Sequence, residues 1–194
     1  RRERKERLRE AMAEFAVTEG DHVTYVNVFN SFEEAGLSAE WCADNCLNYR
    51  ALARAGEVRA QLLRHVKRVA PEGAAVSSCG NDIDALRRCL VSGFFSNAAR
   101  LCPDGRYRTI RDSAPVAIHP SSVLARFGAP PEWVVFHEAS QTSQLFIRDV
   151  SAVDPRWLTE LAGHFYEFRG RPRGAGPGPG LGGGGKRRLG PQLP

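Results

Sequence analysis

The period of the hydrophobic residues changes at Pro103-Asp104-Gly105, and that change decides what the chain can fold into. Before it, apolar residues recur every three or four positions, the spacing of a helix face. After it, short runs rich in β-branched and aromatic residues alternate with turn-forming residues, the pattern of strands. Helices first and four or five short strands afterwards predict an α+β chain, a helical bundle joined to a small β-barrel.

The helical half is read as follows. Arg1 to Ala16 is a charged helix of mixed sign. Thr18 caps a second helix with Asp21 three positions on, in capping-box spacing. Within it, Val23, Thr24, Val26 and Val28 favour a strand by propensity. Tyr25, Phe29 and Phe32 share a helical stripe, and the cap decides for helix. Ser38 caps a short helix through Trp41, Cys42 and Cys46. Leu52, Ala55, Val58, Leu62, Val66 and Val69 mark an amphipathic helix over 50–70, ended by Pro71 and Gly73. Asn81 caps a further helix, with Ile83, Leu86, Leu90 and Phe94 as its buried stripe.

The second half is expected to hold strands over 106–110, 116–119, 132–138 and 145–150, with Ser151 to Val153 as a possible fifth. A short helix with Pro120 in its first turn lies among them. The polar stretch Ser140 to Ser143 is a turn. Asp154-Pro155 caps a closing helix through Trp157, Leu158 and Leu161. The expected division is a helical region over 1–80, a barrel region over 81–169 and a disordered tail over 170–194, where composition falls to Gly, Pro, Arg and Leu.

Charge is unevenly spread. Residues 1–10 hold six bases against three acids, and the tail holds five bases and no acid. Together they exceed the chain's net +5, so the middle is mildly acidic, at −3. Basic ends can meet polyanions without specificity, and can equally be solvated tails. No apolar run reaches the roughly 20 residues of a membrane span. The chain opens on Arg1 and its only methionine is Met12, so a piece of a longer protein is expected. The five cysteines fit neither a disulfide framework nor zinc-ligand spacing, and are read as buried free thiols of a reducing compartment, cytosol or nucleus.

Most candidate chemistry fails on its surroundings. Gly180 and Gly185-Lys186 begin like a phosphate-binding loop, but Arg187 stands where Ser or Thr would hold magnesium. His119 beside Ser121 and Ser122 suggests a nucleophile and base, yet capping and turn chemistry explain them without an orienting acid. Asp21-His22 are helix neighbours that point apart. For RNA contact the better candidates are Arg106, Arg108 and Arg111 along the first hairpin, Arg148 in a later strand, and the amides opening the Ser121 helix.

Several strings sharpen this reading. Glu19 to Phe29 (EGDHVTYVNVF) resembles the EGDHLTLLNVY signature of DEAH-box RNA helicases. Trp41-Cys42, Asn45 and Leu47 to Arg50 resemble the WCxxNFLNYR that follows it. Val58 to Leu62, Arg87 to Leu90, Gly93 to Phe95, Ile118 to Leu124, Arg148 to Val150 and His164 to Tyr166 continue the resemblance in order, closest to the splicing-associated branch. Cys46 departs from the family's usual Phe, and Gly163 from its usual Pro.

The resemblance implies a ratchet-like helical region followed by an OB-fold, which closes over single-stranded RNA in a nuclear splicing helicase. Motor and winged-helix domains would lie upstream, with ATP and magnesium bound only there and no cofactor in this chain. It also implies a spliceosomal or G-patch-type protein partner and no membrane. The residues expected to contact RNA are Arg108, Ser121, Ser122, Thr142 and Arg148, and no catalytic or metal-binding residue is expected. A truncated stand-alone protein-interaction module is the alternative. An independent hydrolase built on His119 is a third, with little to support it.

Overall fold

The computed structural model describes residues 2–72, 74–126, 128–168 and 192–193. Five helices lead in: α1 (Arg2–Phe15), α2 (Asp21–Glu34), α3 (Ala39–Asp44), α4 (Tyr49–Val69) and α5 (Ile83–Phe94). Five strands follow: β1 (Ala98–Leu101), β2 (Tyr107–Thr109), β3 (Pro115–Ile118), β4 (Trp133–Gln141) and β5 (Leu145–Ala152). They close a barrel in the order β1-β2-β3-β5-β4. Every neighbouring pair is antiparallel except β3 and β5, which run parallel. Helix α6 (Pro155–Leu161) packs against α5 on the outside of the barrel.

Two hydrophobic cores share one strand. The side chains of Val134 and Phe136 fill the barrel with Ala99, Tyr107, Val116, Ile147 and Val150. Their neighbours Trp133 and Val135 face outward, onto Val91 of α5 and Trp157 and Leu158 of α6. A strand buried on both faces reads as an unbroken apolar run, which is why Trp133 to Phe136 shows no alternation. On β5, Ile147 and Val150 both belong to the barrel core although three positions apart. Asp149 between them is left-handed (φ 50°), which resets the alternation.

The segment before α2 decides between its competing strand and helix signals. Glu19 and Gly20 run beside β5: the Ala152 amide donates to the Glu19 carbonyl at 3.0 Å, and Gly20 bridges Ser151. Gly20 takes φ 117°, and a Cβ there would stand 2.3 Å from the Val150 carbonyl oxygen. The helix therefore begins at Asp21, and Thr18 is not its cap. Asp21 is released for another task. Its two carboxylate oxygens accept from the buried amides of Val123 and Val150, each at 2.8 Å. One side chain thus ties α2 to two parts of the barrel.

Other caps follow local chemistry. Ser38 accepts from the Trp41 amide, and Asp154 from the Arg156 amide, as expected. The α5 cap is Asp82, which accepts from the Ala85 amide, rather than Asn81 one position earlier. Asn48 caps α4. The Pro120 segment forms one 3-10 turn, Val123–Ala125, capped by Ser122, with Pro120 outside it. The first barrel strand, Ala98–Leu101, comes before the first strand the sequence predicts, 106–110. The expected fifth strand at Ser151 is the end of β5.

Helix α4 buries none of its residues, and its apolar stripe stands open, with Leu62 58% and Val69 75% exposed. Among the cysteines only Cys42 is buried, whereas Cys46, Cys79 and Cys89 are exposed, against the expectation of buried thiols. Cys46 lies past the end of α3 with φ 56°, so it does not share a helix face with Cys42. Of the expected disordered tail, 170–191 and 194 lie outside the described residues. Gln192–Leu193 pair in parallel with Glu167–Phe168. No helix among the described residues is long and apolar enough to cross a membrane.

Candidate nucleic-acid interface

A cleft of about 870 Å³ opens across β2 and β3. Gly105 and Arg106 of the β1–β2 loop border it on one side, and Gln141, Gln144 and Leu145 of the β4–β5 hairpin on the other. Its floor comes from Tyr107, Pro115, Ala117 and Ile118. Burial pushes the Tyr107 phenol up to about 12, so it stays a neutral donor, and it bonds the Pro131 carbonyl at 2.5 Å. This is the face, between the same two loops, with which OB barrels hold oligonucleotides. A slightly larger cleft of about 940 Å³ lies between α2 and α4, lined mainly by apolar groups such as Val26, Phe29, Leu52 and Leu86. A polyanion gains little from such a lining, which leaves the barrel cleft as the candidate.

One residue beyond Ile118 and three beyond Leu145, both of which line the cleft, the chain carries a polar network whose members are not themselves cleft-lining. His119 Nδ1 lies 2.6 Å from Ser121 Oγ, and its Nε2 lies 2.9 Å from Nη2 of Arg148. Arg148 reaches Ser140 Oγ at 3.4 Å and Glu138 at 3.9 Å, both on the neighbouring β4. Phe146 meets the His119 ring edge-on, with centroids 5.4 Å apart. Burial, and then the Arg148 charge, lower the His119 pKa below the ordinary histidine value. The far nitrogen of a catalytic histidine faces an acid, whereas this one faces a guanidinium. The geometry gives a serine-histidine hydrolase nothing to work with.

The expected contact residues separate in space. Ser121 is exposed and shares the His119 network with Arg148. Thr142 is exposed in the β4–β5 turn, its amide donating to the Gln144 carbonyl at 3.0 Å. Arg108 lies outside the cleft, opposite Arg100 across the β1–β2 ladder and 3.6 Å from Asp104. Ser122 is 3% exposed, and its hydroxyl accepts from the Leu124 amide, which withdraws it from direct contact with a ligand. The amides proposed to hold a phosphate are also taken: Ser121 donates to His119 Nδ1, Ser122 to the His119 carbonyl, and Val123 to Asp21. Arg106, a candidate from the sequence, lines the cleft, and Gln141 and Gln144 join it. The only sequence signal for the two glutamines is a position in or beside a turn.

A second polar cluster joins the helical region to the barrel. The Tyr25 hydroxyl donates to Asp149 at 2.7 Å, and His137 Nδ1 lies 3.6 Å from the same carboxylate. Burial and this bond raise the Tyr25 pKa. His22 bonds Ser151 at 2.9 Å and stacks near Phe94, so it points away from the Asp21 bonds, as helix neighbours should. Burial lowers its pKa. No group of His, Cys, Asp or Glu among the described residues could hold a metal ion.

The strand order, the parallel β3–β5 pair and the two-loop cleft define a class, the OB-fold. A family model described as oligonucleotide/oligosaccharide-binding (OB)-fold matches residues 86–166. The chain is 46% identical over 158 residues to the probable ATP-dependent RNA helicase DHX35 of Homo sapiens, covering 79% of this chain and 21% of that protein. It is 40% identical over 180 residues to the pre-mRNA-splicing factor ATP-dependent RNA helicase DEAH10 of Arabidopsis thaliana, covering 86% and 24%. To the pre-mRNA-splicing factor ATP-dependent RNA helicase prp22 of Schizosaccharomyces pombe it is 40% identical over 168 residues, covering 86% and 14%. The chain belongs with the C-terminal regions of DEAH-box RNA helicases. It spans about a fifth of the length of the DHX35 relatives.

Proposed function

We propose that this chain is the RNA-gripping part of an ATP-dependent DEAH-box RNA helicase that acts in pre-mRNA splicing, in the nucleus. The observation that carries this reading is the cleft across β2 and β3, lined by Arg106, Gln141 and Gln144, with the Ser121–His119–Arg148 network a few residues along the chain from its lining. Arginines at the rim attract the phosphates of a single strand, and the amide side chains of Gln141 and Gln144 offer donors and acceptors to its bases. Arg148, Ser121 and Thr142 are the contact residues, joined by Arg106. Arg108 acts from outside the cleft as part of the positive field.

Nucleotide hydrolysis belongs to domains other than this one. The sequence holds no GxxxxGK[ST] loop and no DEAH string, and its nearest match at Gly180–Lys186 is followed by Arg187. Among the described residues no group of His, Cys, Asp or Glu could hold a metal ion. The motor and winged-helix domains upstream, and a spliceosomal or G-patch-type protein, are the partners that complete the machine. The relatives are helicases by name, two of them splicing factors, which favours this reading over a free-standing interaction module.

The test is binding of the chain to a fluorescent oligouridylate of roughly ten nucleotides, within the usual span of an OB site, at several salt concentrations. Binding should weaken steadily with salt. Charge reversal at Arg106 together with Arg148 should weaken it and reduce the log–log salt slope by about 2, one for each lost phosphate contact. An unchanged affinity and slope would remove the rim from the RNA path.

A further inference from the structure

The chain holds four glutamines, and two of them directly follow a serine: Ser140-Gln141 and Ser143-Gln144. Both pairs fall in the β4–β5 hairpin, and both glutamines line the barrel cleft. A serine followed by glutamine is the local pattern that one class of protein kinase selects, reading the amide side chain that follows the acceptor. The fold separates the two serines. Ser140 is half-buried on β4, paired with Phe146, and its Oγ accepts from Arg148 at 3.4 Å. Ser143 stands at the hairpin tip, exposed together with Thr142 and Gln144. The bonds of the tip are made by its neighbours: the Thr142 amide and hydroxyl donate to the Gln144 carbonyl at 3.0 and 3.5 Å. Nothing in the turn depends on the Ser143 hydroxyl. The last ladder pair is Gln141 with Leu145, and β3 joins β5 only from Phe146 onward. The end of such a two-stranded ladder opens at small cost, which gives a kinase the short stretch it must hold.

We propose that Ser143 is a phosphorylation site for a glutamine-directed protein kinase, and that its phosphate closes the barrel cleft to RNA. This rests on the RNA reading above and adds a control to that same site. In the modifying step the γ-phosphoryl group of ATP, held by the kinase with magnesium, passes to Ser143 Oγ. A new Oγ–P bond replaces the P–O bond to the leaving ADP, and the serine proton goes to the catalytic carboxylate of the kinase. The product carries about 1.5 to 2 negative charges at neutral pH. Its Cα stands about 3.8 Å from that of Gln144, the next residue along the chain, and Gln144 lines the cleft. That is well within the roughly 8 Å over which charges still act on each other at physiological salt. A phosphodiester strand that enters the cleft then meets a like charge beside it. The fold itself is left alone, because Ser143 lies between the strands and makes no ladder pair.

The experiment treats the chain, and beside it Ser143→Ala, with ATP, magnesium and a purified glutamine-directed kinase, and locates the phosphate by fragment mass spectrometry. Oligouridylate affinity is then measured on the unmodified and the phosphorylated chain at several salt concentrations. A chain made with phosphoserine at position 143 gives the same comparison without the kinase. One phosphate at Ser143, and none in Ser143→Ala, is the expected result. Near physiological salt the phosphorylated chain should bind RNA roughly three- to tenfold more weakly, the effect of a double charge some 7 Å from one phosphodiester, and the deficit should shrink as salt rises. Ser143→Ala should bind RNA like the unmodified chain before and after treatment. No modification of the folded chain, or modification at Ser140 alone, overturns the site. Equal RNA affinity of the phosphorylated and unmodified chains overturns the closure and leaves the RNA reading standing. A lower melting temperature on phosphorylation, with a deficit that salt does not change, assigns the loss to unfolding and also overturns the closure. Absence of RNA binding by the unmodified chain removes the RNA reading and the closure together, while the mass spectrum still decides the site.

Discussion

Asp21 holds the amide of Val150 at 2.8 Å across 129 residues of sequence, while its other oxygen holds Val123. A carboxylate that accepts two buried amides fixes the position of α2 against the barrel. Replacing it by Asn turns one acceptor into a donor that faces an N–H. Asp21→Asn should cost about 2–4 kcal/mol, the loss of a charge-assisted bond plus an unpaired amide, read from urea unfolding.

Gly20→Ala should be at least as damaging. The added methyl meets the Val150 carbonyl in a backbone region that alanine avoids. Loss of more than about 2 kcal/mol, or failure to fold, is the expected result. A neutral effect would mean that the Gly20–Ser151 approach does not persist in solution.

Leu158 and Leu62 have the same side chain and opposite surroundings. Leu158 is fully buried between α5, α6 and β4, and Leu158→Ala should cost about 2–5 kcal/mol. Leu62 stands on the open face of α4, and Leu62→Ser should stay within about 0.5 kcal/mol. Parallel thermal melts of the two variants check the contrast.

Ser122→Ala and Ser121→Ala separate structure from contact. Ser122 caps the 3-10 turn, so its loss should cost about 1 kcal/mol and leave RNA affinity alone. Ser121→Ala should do the reverse, weakening RNA binding with little change in stability. Unfolding and RNA titration on both proteins decide this.

Acid should destabilise the fold through His22. Burial lowers its folded pKa below the unfolded value, so the unfolded chain binds the extra proton first. The stability at stake is fully present above about pH 6.5, the ordinary histidine value. It is lost as pH falls from there through the folded pKa. His22→Gln should flatten this part of the stability profile, measured by unfolding at successive pH values.

How much of this was legible in the sequence depended on whether the cause was local. The α3 and α6 caps, the α4 boundaries and the period change were readable because Ser38, Asp154, Pro71 and Pro103 act on their own neighbours. Thr18 misled because Gly20 lies against β5, a contact 131 residues away. The strand β1 went unread because four residues carry too little period to show. At the interface, Ser121 and Arg148 were separately visible as an exposed serine and a strand arginine. Their connection through His119, and the burial of Ser122, depend on the parallel β3–β5 register that no local pattern encodes.

The central claim, that RNA lies across β2 and β3, is tested most directly by amide chemical-shift mapping of the chain during titration with oligouridylate. The account predicts shifts concentrated at Gly105, Arg106, Ala117, His119, Ser121 and Gln144. Shifts confined to the open face of α4 around Val58 and Leu62, with the barrel cleft silent, would contradict it.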